Sequence, residues 1–325
     1  MNRAITALSV LLAAQLVLAA GLWFTSADSG EAPSRDLMAL TADEVTTVSL
    51  ADADGEPLKL ARTDDTWTLP SNDGFPAATT RVDALVSDLA GLSGRIPVAR
   101  SEEAFERFRV ADDAFERRVK LKTTDGRQAT MLIGKSAGAG RVYARNADSD
   151  AVYEVAFSAR RATPDPQHWY DTDTVGVDPA DVKRVSLPSL TLERKENGWA
   201  LAKPSQEGTE LDGGEAARLV TDLANPAFES VSKAEPPEGE PTLSYAVETK
   251  AGKSLHFHYY ATSEDGTAVL TREDQPWRYQ VATSQLTALQ DTSVETLLAG
   301  KDAEQGDKSQ DTAAKNNETA GSGHS

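Results

Sequence analysis

The chain has no cysteine among its 325 residues. That excludes disulfides, thiol nucleophiles, Cys-ligated zinc, iron–sulfur clusters and lipid-modified cysteines. Histidine is scarce at four, which thins the supply of imidazole bases and ligands. Basic residues are outnumbered, 33 Lys and Arg against 51 Asp and Glu, for a net charge of −18. Phosphate neutralisation needs clustered Lys and Arg, so the acid excess argues against a nucleic-acid partner, and none is expected. Hydrophobic residues at 39% are enough for a core, which argues against wholesale disorder. Allowing for the termini, the length fits one large domain or two of about 130 residues.

Charge is also missing from residues 4–24, AITALSVLLAAQLVLAAGLWF, whose polar members are Thr6, Ser9 and Gln15. A helix rising about 1.5 Å per residue needs about 20 residues to cross the hydrocarbon core. Arg3 precedes the run, and Asp28 and Glu31 follow it, so positive-inside bias exports everything after residue 27. Trp23 and Phe24 stand where interfacial aromatics anchor the far end. The rival reading is a cleaved signal peptide with Thr25-Ser26-Ala27 as its site. The length of the run favours an uncleaved anchor in residues 1–27, with the lipid bilayer as partner through residues 4–24. Both readings place the bulk of the chain outside the inner, cytoplasmic membrane.

The body of the chain shows self-similarity. Val45, Val48, Ser49 and Leu50 match Val182, Val185, Ser186 and Leu187. Leu58, Leu60, Arg62, Trp67 and Leu69 match Leu190, Leu192, Arg194, Trp199 and Leu201. Leu85, Val86, Asp88 and Leu89 match Leu219, Val220, Asp222 and Leu223, and later Tyr153, Val155 and Ser158 match Tyr279, Val281 and Ser284. The order is kept while the spacing drifts, as when loops change length. Two repeats are expected, at 41–173 and 174–300, after a linker at 28–40. Residues 301–325 hold no large apolar side chain and predict a disordered polar tail.

Within each copy the periods alternate. Leu58 and Leu60 alternate with Lys59 and Ala61, predicting a strand, and Asp54-Gly55 predicts the hairpin turn before it. The counterpart turn lies near Pro188-Ser189. Val82, Leu85, Val86 and Leu89 form one helical stripe, with Thr79 or Thr80 as cap and Gly91 as stop. In the second copy Asp212 and Glu215 resemble a capping box, and Asn225-Pro226 ends the helix. Val119, Leu121 and Thr123 then lead, through a turn at Asp125-Gly126, into a meander, repeated from Tyr245 to Val281. The fold class expected is α+β: an N-terminal transmembrane helix, then two tandem, mostly antiparallel α+β repeats, each a hairpin, one main helix and a β-meander.

These features together resemble the domain-of-unknown-function family 4340. The likeness rests on the apolar run, the Val-x-x-Val-x-Leu strand, the Leu-x-Leu-x-Arg…Trp-x-Leu hairpin and the helix. It extends to Phe105…Phe108-x-Val110, Leu132-Ile133-Gly134 and Val152-Tyr153-Glu154-Val155. The resemblance implies a membrane-anchored exported domain, often encoded beside ABC-2-type export or gliding-motility-like systems. It carries over no catalytic residue.

Candidate chemistry is sparse. Gly134-Lys135-Ser136-Ala137-Gly138 has the G-x-S-x-G pattern, but a nucleophile elbow needs a helix after it, and Gly140-Arg141-Val142 predicts a strand. A Gly-rich hairpin loop is expected instead. A phosphate loop ending at Gly134-Lys135-Ser136 would need Gly where Ala129 stands. His256 and His258 project from one strand face and could share a metal, with no third ligand nearby. His168, beside Trp169 and Tyr170, is expected to pack as part of an aromatic linker. Asp52-x-Asp54-Gly55 and Asn146-x-Asp148-x-Asp150 resemble calcium-loop fragments, yet both lack the sixth-position Gly and twelfth-position Glu. No catalytic, cofactor-binding or metal-binding residue is assigned, and no cofactor is expected.

The function expected is that of a non-catalytic, membrane-anchored exported accessory or scaffolding protein, with ABC-type transporter subunits as possible partners. The alternative is an exported ligand-binding module for glycan or peptide in the cleft between the repeats, with Trp67, Trp199, Trp277 and Tyr279 as sugar-stacking candidates.

Overall fold

The structure is a computed structural model and describes Gln15 and residues 34–205, 210–261 and 266–298. Apart from Gln15, the apolar run 4–24 lies outside the described residues, as does the polar tail 301–325. The chain packs as two compact units. The first holds the described residues up to Leu58 together with Asp83–Pro164, and the second Lys59–Val82 with the described residues from Asp165 onward.

The chain opens with β1 (Arg35–Asp36), β2 (Val45–Ala51), β3 (Leu58–Thr63), β4 (Thr66–Leu69) and β5 (Phe75–Pro76), then α1 (Thr79–Ala90), β6 (Ser93–Gly94) and α2 (Glu102–Phe108). A meander comes next: β7 (Arg117–Thr123), β8 (Gln128–Gly138), β9 (Arg141–Asn146) and β10 (Val152–Ala156). The second half runs β11 (Val182–Ser186), β12 (Thr191–Lys195), β13 (Gly198–Lys203), α3 (Gly213–Ala224) and β14 (Ser230–Lys233). It closes with β15 (Leu243–Thr249), β16 (Ser254–Ala261), β17 (Thr267–Arg272), β18 (Trp277–Ala282) and α4 (Thr283–Gln290).

In the first unit, antiparallel strands run side by side in the order β10-β9-β8-β7-β2. The register sets Val48 opposite Leu121 and Leu50 opposite Val119, and all four are fully buried. The opposite face carries a second core of Val110, Phe115, Leu132 and Val152, against which Phe105 and Phe108 of α2 pack. Gly134 makes that contact possible, because a Cβ there would meet the carbonyl oxygens of Phe108 and Arg109.

The second unit holds an eight-stranded antiparallel sheet in the order β13-β12-β11-β15-β16-β17-β18-β14. β15 alternates without a break, with Leu243, Tyr245, Val247 and Thr249 buried and the residues between half-buried. This is the period-two signature of a sheet with one face in a core. Helix α3 packs on β11 and β13 through Ala216, Leu219, Val220 and Leu223. Helix α4 lies on β16, β17 and β18.

The expected α+β class with an N-terminal transmembrane helix is corrected. The described chain is mostly antiparallel sheet, and no helix among the described residues is long and apolar enough to cross a membrane. The two longest described helices, α1 and α3, have twelve residues each and stand as single elements between strands. Period-two alternation outweighs the two helical stripes, so these are sheet units rather than α+β repeats.

Local readings fare variously. α1 begins at Thr79, but the Ala78 carbonyl accepts its first N–H bonds, from Arg81 and Val82. Asp212 caps α3 by accepting from the Gly214 and Glu215 N–H groups. The box is not reciprocal, since the Asp212 N–H donates to Leu297 O at 2.8 Å. Residues 134–138 are not a hairpin loop. They are the bulged end of β8, whose register slips between Ile133 and Ser136 and again before Gly138.

Candidate functional site

Strand β16 sends Leu255, Phe257 and Tyr259 into the core and His256, His258 and Tyr260 to the other face. His258 stands opposite Ser244 on β15 and Thr271 on β17. Its Nδ1 lies 2.8 Å from Ser244 Oγ, and its Nε2 lies 2.9 Å from Glu273 Oε1. Nε2 is placed to donate to the Glu273 carboxylate, and Nδ1 meets a hydroxyl that can donate or accept. The two neighbours fix the orientation of the imidazole.

Beside it lies a groove of about 690 Å³, lined among others by Lys233, Pro236, His258, Tyr260, Glu273 and Trp277. Trp277 is held edge-on to Phe75, with ring centroids 5.1 Å apart and planes at 82°. Arg272, 7% exposed, anchors the floor by donating to the Val175 carbonyl at 2.8 Å, the Thr174 carbonyl at 3.1 Å and Asp274 Oδ1 at 2.6 Å. Burial works against the Asp274 carboxylate, yet Arg272 and Lys253 hold it below the usual carboxylate range. The groove thus sets the Tyr260 ring beside polar groups of both signs. A second hollow, about 540 Å³ between α3 and α4, has Tyr259 and Leu219 among its lining and Glu215, Asp222, Asp291 and Arg218 on its walls.

The other candidate residues fall elsewhere. Ser136 accepts the Gly138 N–H at 3.2 Å, and the hollow it lines contains no histidine among the described residues. The next element after it is the strand β9, so the strand-to-helix elbow is not formed. His256 is exposed, and its carbonyl accepts the Glu273 N–H. No group of three or more possible metal ligands occurs among the described residues. Asn146 donates to Leu37 O at 2.6 Å and accepts the Asp148 N–H in a turn, while Asp150 pairs with Arg100 at 2.7 Å. Asp52 folds its carboxylate onto the Gly55 turn.

The aromatic candidates divide by burial. Trp67 and Tyr279 are fully buried, and the Tyr279 hydroxyl donates to Gln275 Oε1 at 2.7 Å. Trp169 and Tyr170 are buried in the second unit, where Tyr170 stacks on Phe228 at 5.1 Å. Burial lowers the His168 pKa, and the Arg81 charge adds to that. Only Trp199 and Trp277 of the four stacking candidates keep partly exposed rings. Sequence reasoning missed Lys233, Ser244, Tyr260 and Glu273. Ser244 and Tyr260 do sit at outward positions of alternating strands, but only the strand pairing brings Ser244 to His258.

These features define an antiparallel-sheet protein whose second unit bears an open polar-aromatic groove. The sequence matches the domain of unknown function DUF4340 over residues 67–244, more than half of the chain, and the protein belongs to that family. No curated protein and no solved structure matches it.

Proposed function

We propose that this chain is a non-catalytic exported accessory protein that docks onto a membrane partner, with a subunit of an ABC-type export complex as the partner class. The observation that carries the reading is an exposed apolar pair, Ile96 at 76% and Val98 at 45%. These two stand out among the described large hydrophobics, which are otherwise mostly buried. Val98 is held by its N–H bond to Val152 O at 2.8 Å, so the pair is presented on fixed backbone at the β10 strand. The segment also comes directly after β6, which pairs with β1 through Arg35 opposite Gly94. The apolar pair therefore lies beside β1, and an apolar surface held on fixed backbone supports docking to another protein.

The test is affinity capture of the full chain from membranes in mild detergent, beside an Ile96→Asp, Val98→Asp double variant. Co-purification of a transporter membrane subunit with the wild type, and its loss from a double variant of unchanged circular dichroism, is the expected result. Recovery of no membrane protein, or equal recovery by both, overturns the proposal.

A further inference from the structure

The strand pairings give each unit a comparable outer sheet face. In the first unit Leu132 stands opposite Arg118 and Arg145, and Arg145 stands opposite Val152. In the second unit His258 stands opposite Ser244 and Thr271, and Thr271 stands opposite Arg278. Two residues further along the strand, Gly134 corresponds to Tyr260.

The two faces are finished in opposite ways. In the first unit Leu132 and Val152 are sealed in a dry cluster with Val110 and Phe115, and Gly134 lets the end of α2 press onto the strand. In the second unit the same positions carry His258, Arg278 and Tyr260, of which His258 and Tyr260 line the 690 Å³ groove. Leaving a sheet face open with polar side chains forgoes the burial that stabilises its counterpart. Full burial of a Leu or Val side chain contributes about 1.5–3 kcal/mol. Something other than stability accounts for the groove.

We infer that the groove of the second unit is a saccharide-binding site taking an uncharged sugar chain of the cell envelope. This inference rests on the exported location proposed above and is independent of the docking partner. Its volume falls in the range of about 300–1,000 Å³ typical of ligand pockets. Tyr260, outward on β16, supplies aromatic surface on which the C–H face of a pyranose stacks, while Trp277 packs its ring on Phe75 at the opposite face. Lys233, His258 and Glu273 supply donors and acceptors suited to hydroxyl groups.

The charges select against an ionic ligand. Lys233 and Arg272 are matched by Glu235 and Glu273 among the lining residues, and Arg272 is already engaged by Asp274. A groove without a dominant sign offers a nucleotide, an acidic sugar or a highly charged peptide no net attraction, whereas a neutral polyol needs none.

The test is calorimetric titration of the detergent-solubilised full chain with maltotetraose, cellotetraose and chitotetraose, each against Tyr260→Ala and Lys233→Ala variants of unchanged melting temperature. Expected is saturable binding of at least one tetrasaccharide, weakened about tenfold or more by Tyr260→Ala and less by Lys233→Ala. Absence of binding by all three, or equal affinity in Tyr260→Ala, overturns the assignment. Loss of the sugar with membrane-subunit capture intact would fault this site alone. The reverse result would fault only the docking role.

Discussion

The guanidinium carbon of Arg194 lies 4.4 Å from the centre of the Trp199 ring directly across the β12–β13 hairpin. Its nitrogens donate to the Val182 carbonyl at 2.7 Å and the Pro179 carbonyl at 2.6 Å. One side chain thereby ties the hairpin to the start of β11 and covers the open face of an indole. Arg62 and Trp67 form the same cross-strand pair on β3 and β4, more loosely, at 5.9 Å. Lysine cannot reproduce a planar fork that reaches two carbonyls at once. Arg194→Lys is expected to destabilise the protein by about 1–2 kcal/mol, and Arg62→Lys by less. Urea unfolding of the two variants checks the order, and equal losses would contradict it.

Arg145 is the most completely buried described cation of the first unit, at 5% exposure. It donates to the carbonyls of Val110 at 2.8 Å, Ala147 at 3.1 Å and Ser149 at 3.0 Å, and to Asp112 at 2.6 Å, with Phe105 4.5 Å from its guanidinium. The carbonyl bonds matter more than the ion pair, because the Asp112 side chain is 78% exposed. Arg145→Ala is expected to cost about 3 kcal/mol or more by orphaning these acceptors. Asp112→Ala should cost under about 1 kcal/mol. Thermal melts that rank the two variants the other way would show that the pair, not the carbonyl set, holds the 110–115 segment.

Tyr245, Tyr259 and Tyr279 are buried in the second unit, and burial raises the pKa of each phenol above its ordinary value. A raised folded pKa means that the fold favours the neutral phenol. Its contribution is complete below the unfolded value near 10 and is lost as the pH climbs through and beyond that value. The slope is about 1.4 kcal/mol per pH unit for each phenol the unfolded chain has ionised and the folded one has not. The guanidinium chloride midpoint should hold steady to about pH 9.5 and fall steeply by about pH 11. Tyr245→Phe should flatten that fall. The Tyr245 hydroxyl has no hydrogen-bond partner among the described residues, so the variant should also gain about 1 kcal/mol near neutral pH. A midpoint independent of pH across that range, or a loss of stability in Tyr245→Phe at neutral pH, would contradict this account.

How much of the fold was legible in the sequence depends on the range of the interactions involved. The strand from Tyr245 to Glu248, the Val82–Leu85–Val86–Leu89 stripe and the Asn225 helix end are local signals, and the structure places each where the residues imply. The balance of sheet to helix is a property of how many strands pair, which no local stripe counts. The groove depends on pairings between strands 14 and 15 residues apart in the case of His258 with Ser244 and Glu273. Nothing in the local pattern around Ser244 marks it as a partner of an imidazole. The G-x-S-x-G run was legible as a motif and misread as a loop. Its glycine serves a contact with a segment some 25 residues earlier, which periodicity does not encode.

That contact gives the sharpest separation of packing from chemistry in this chain. Gly134 is buried, and a Cβ there would meet the carbonyl oxygens of Phe108 and Arg109 and the side chain of Val110. The segment cannot simply retreat. Arg109 holds a left-handed backbone at φ 58°, and the Val110 N–H is bonded to Phe105 O at 2.8 Å, so the end of α2 is a closed turn. Gly134→Ala is therefore expected to lose about 2 kcal/mol or more, with α2 amides exchanging faster with solvent. Ser136→Ala, at an exposed position whose hydroxyl only meets the Gly138 N–H, should stay within about 0.5 kcal/mol of the parent. Hydrogen exchange and urea unfolding distinguish the two. If Ser136→Ala proved the more damaging, the serine would have a role that packing does not explain; if Gly134→Ala were silent, α2 would not be seated on β8 as found.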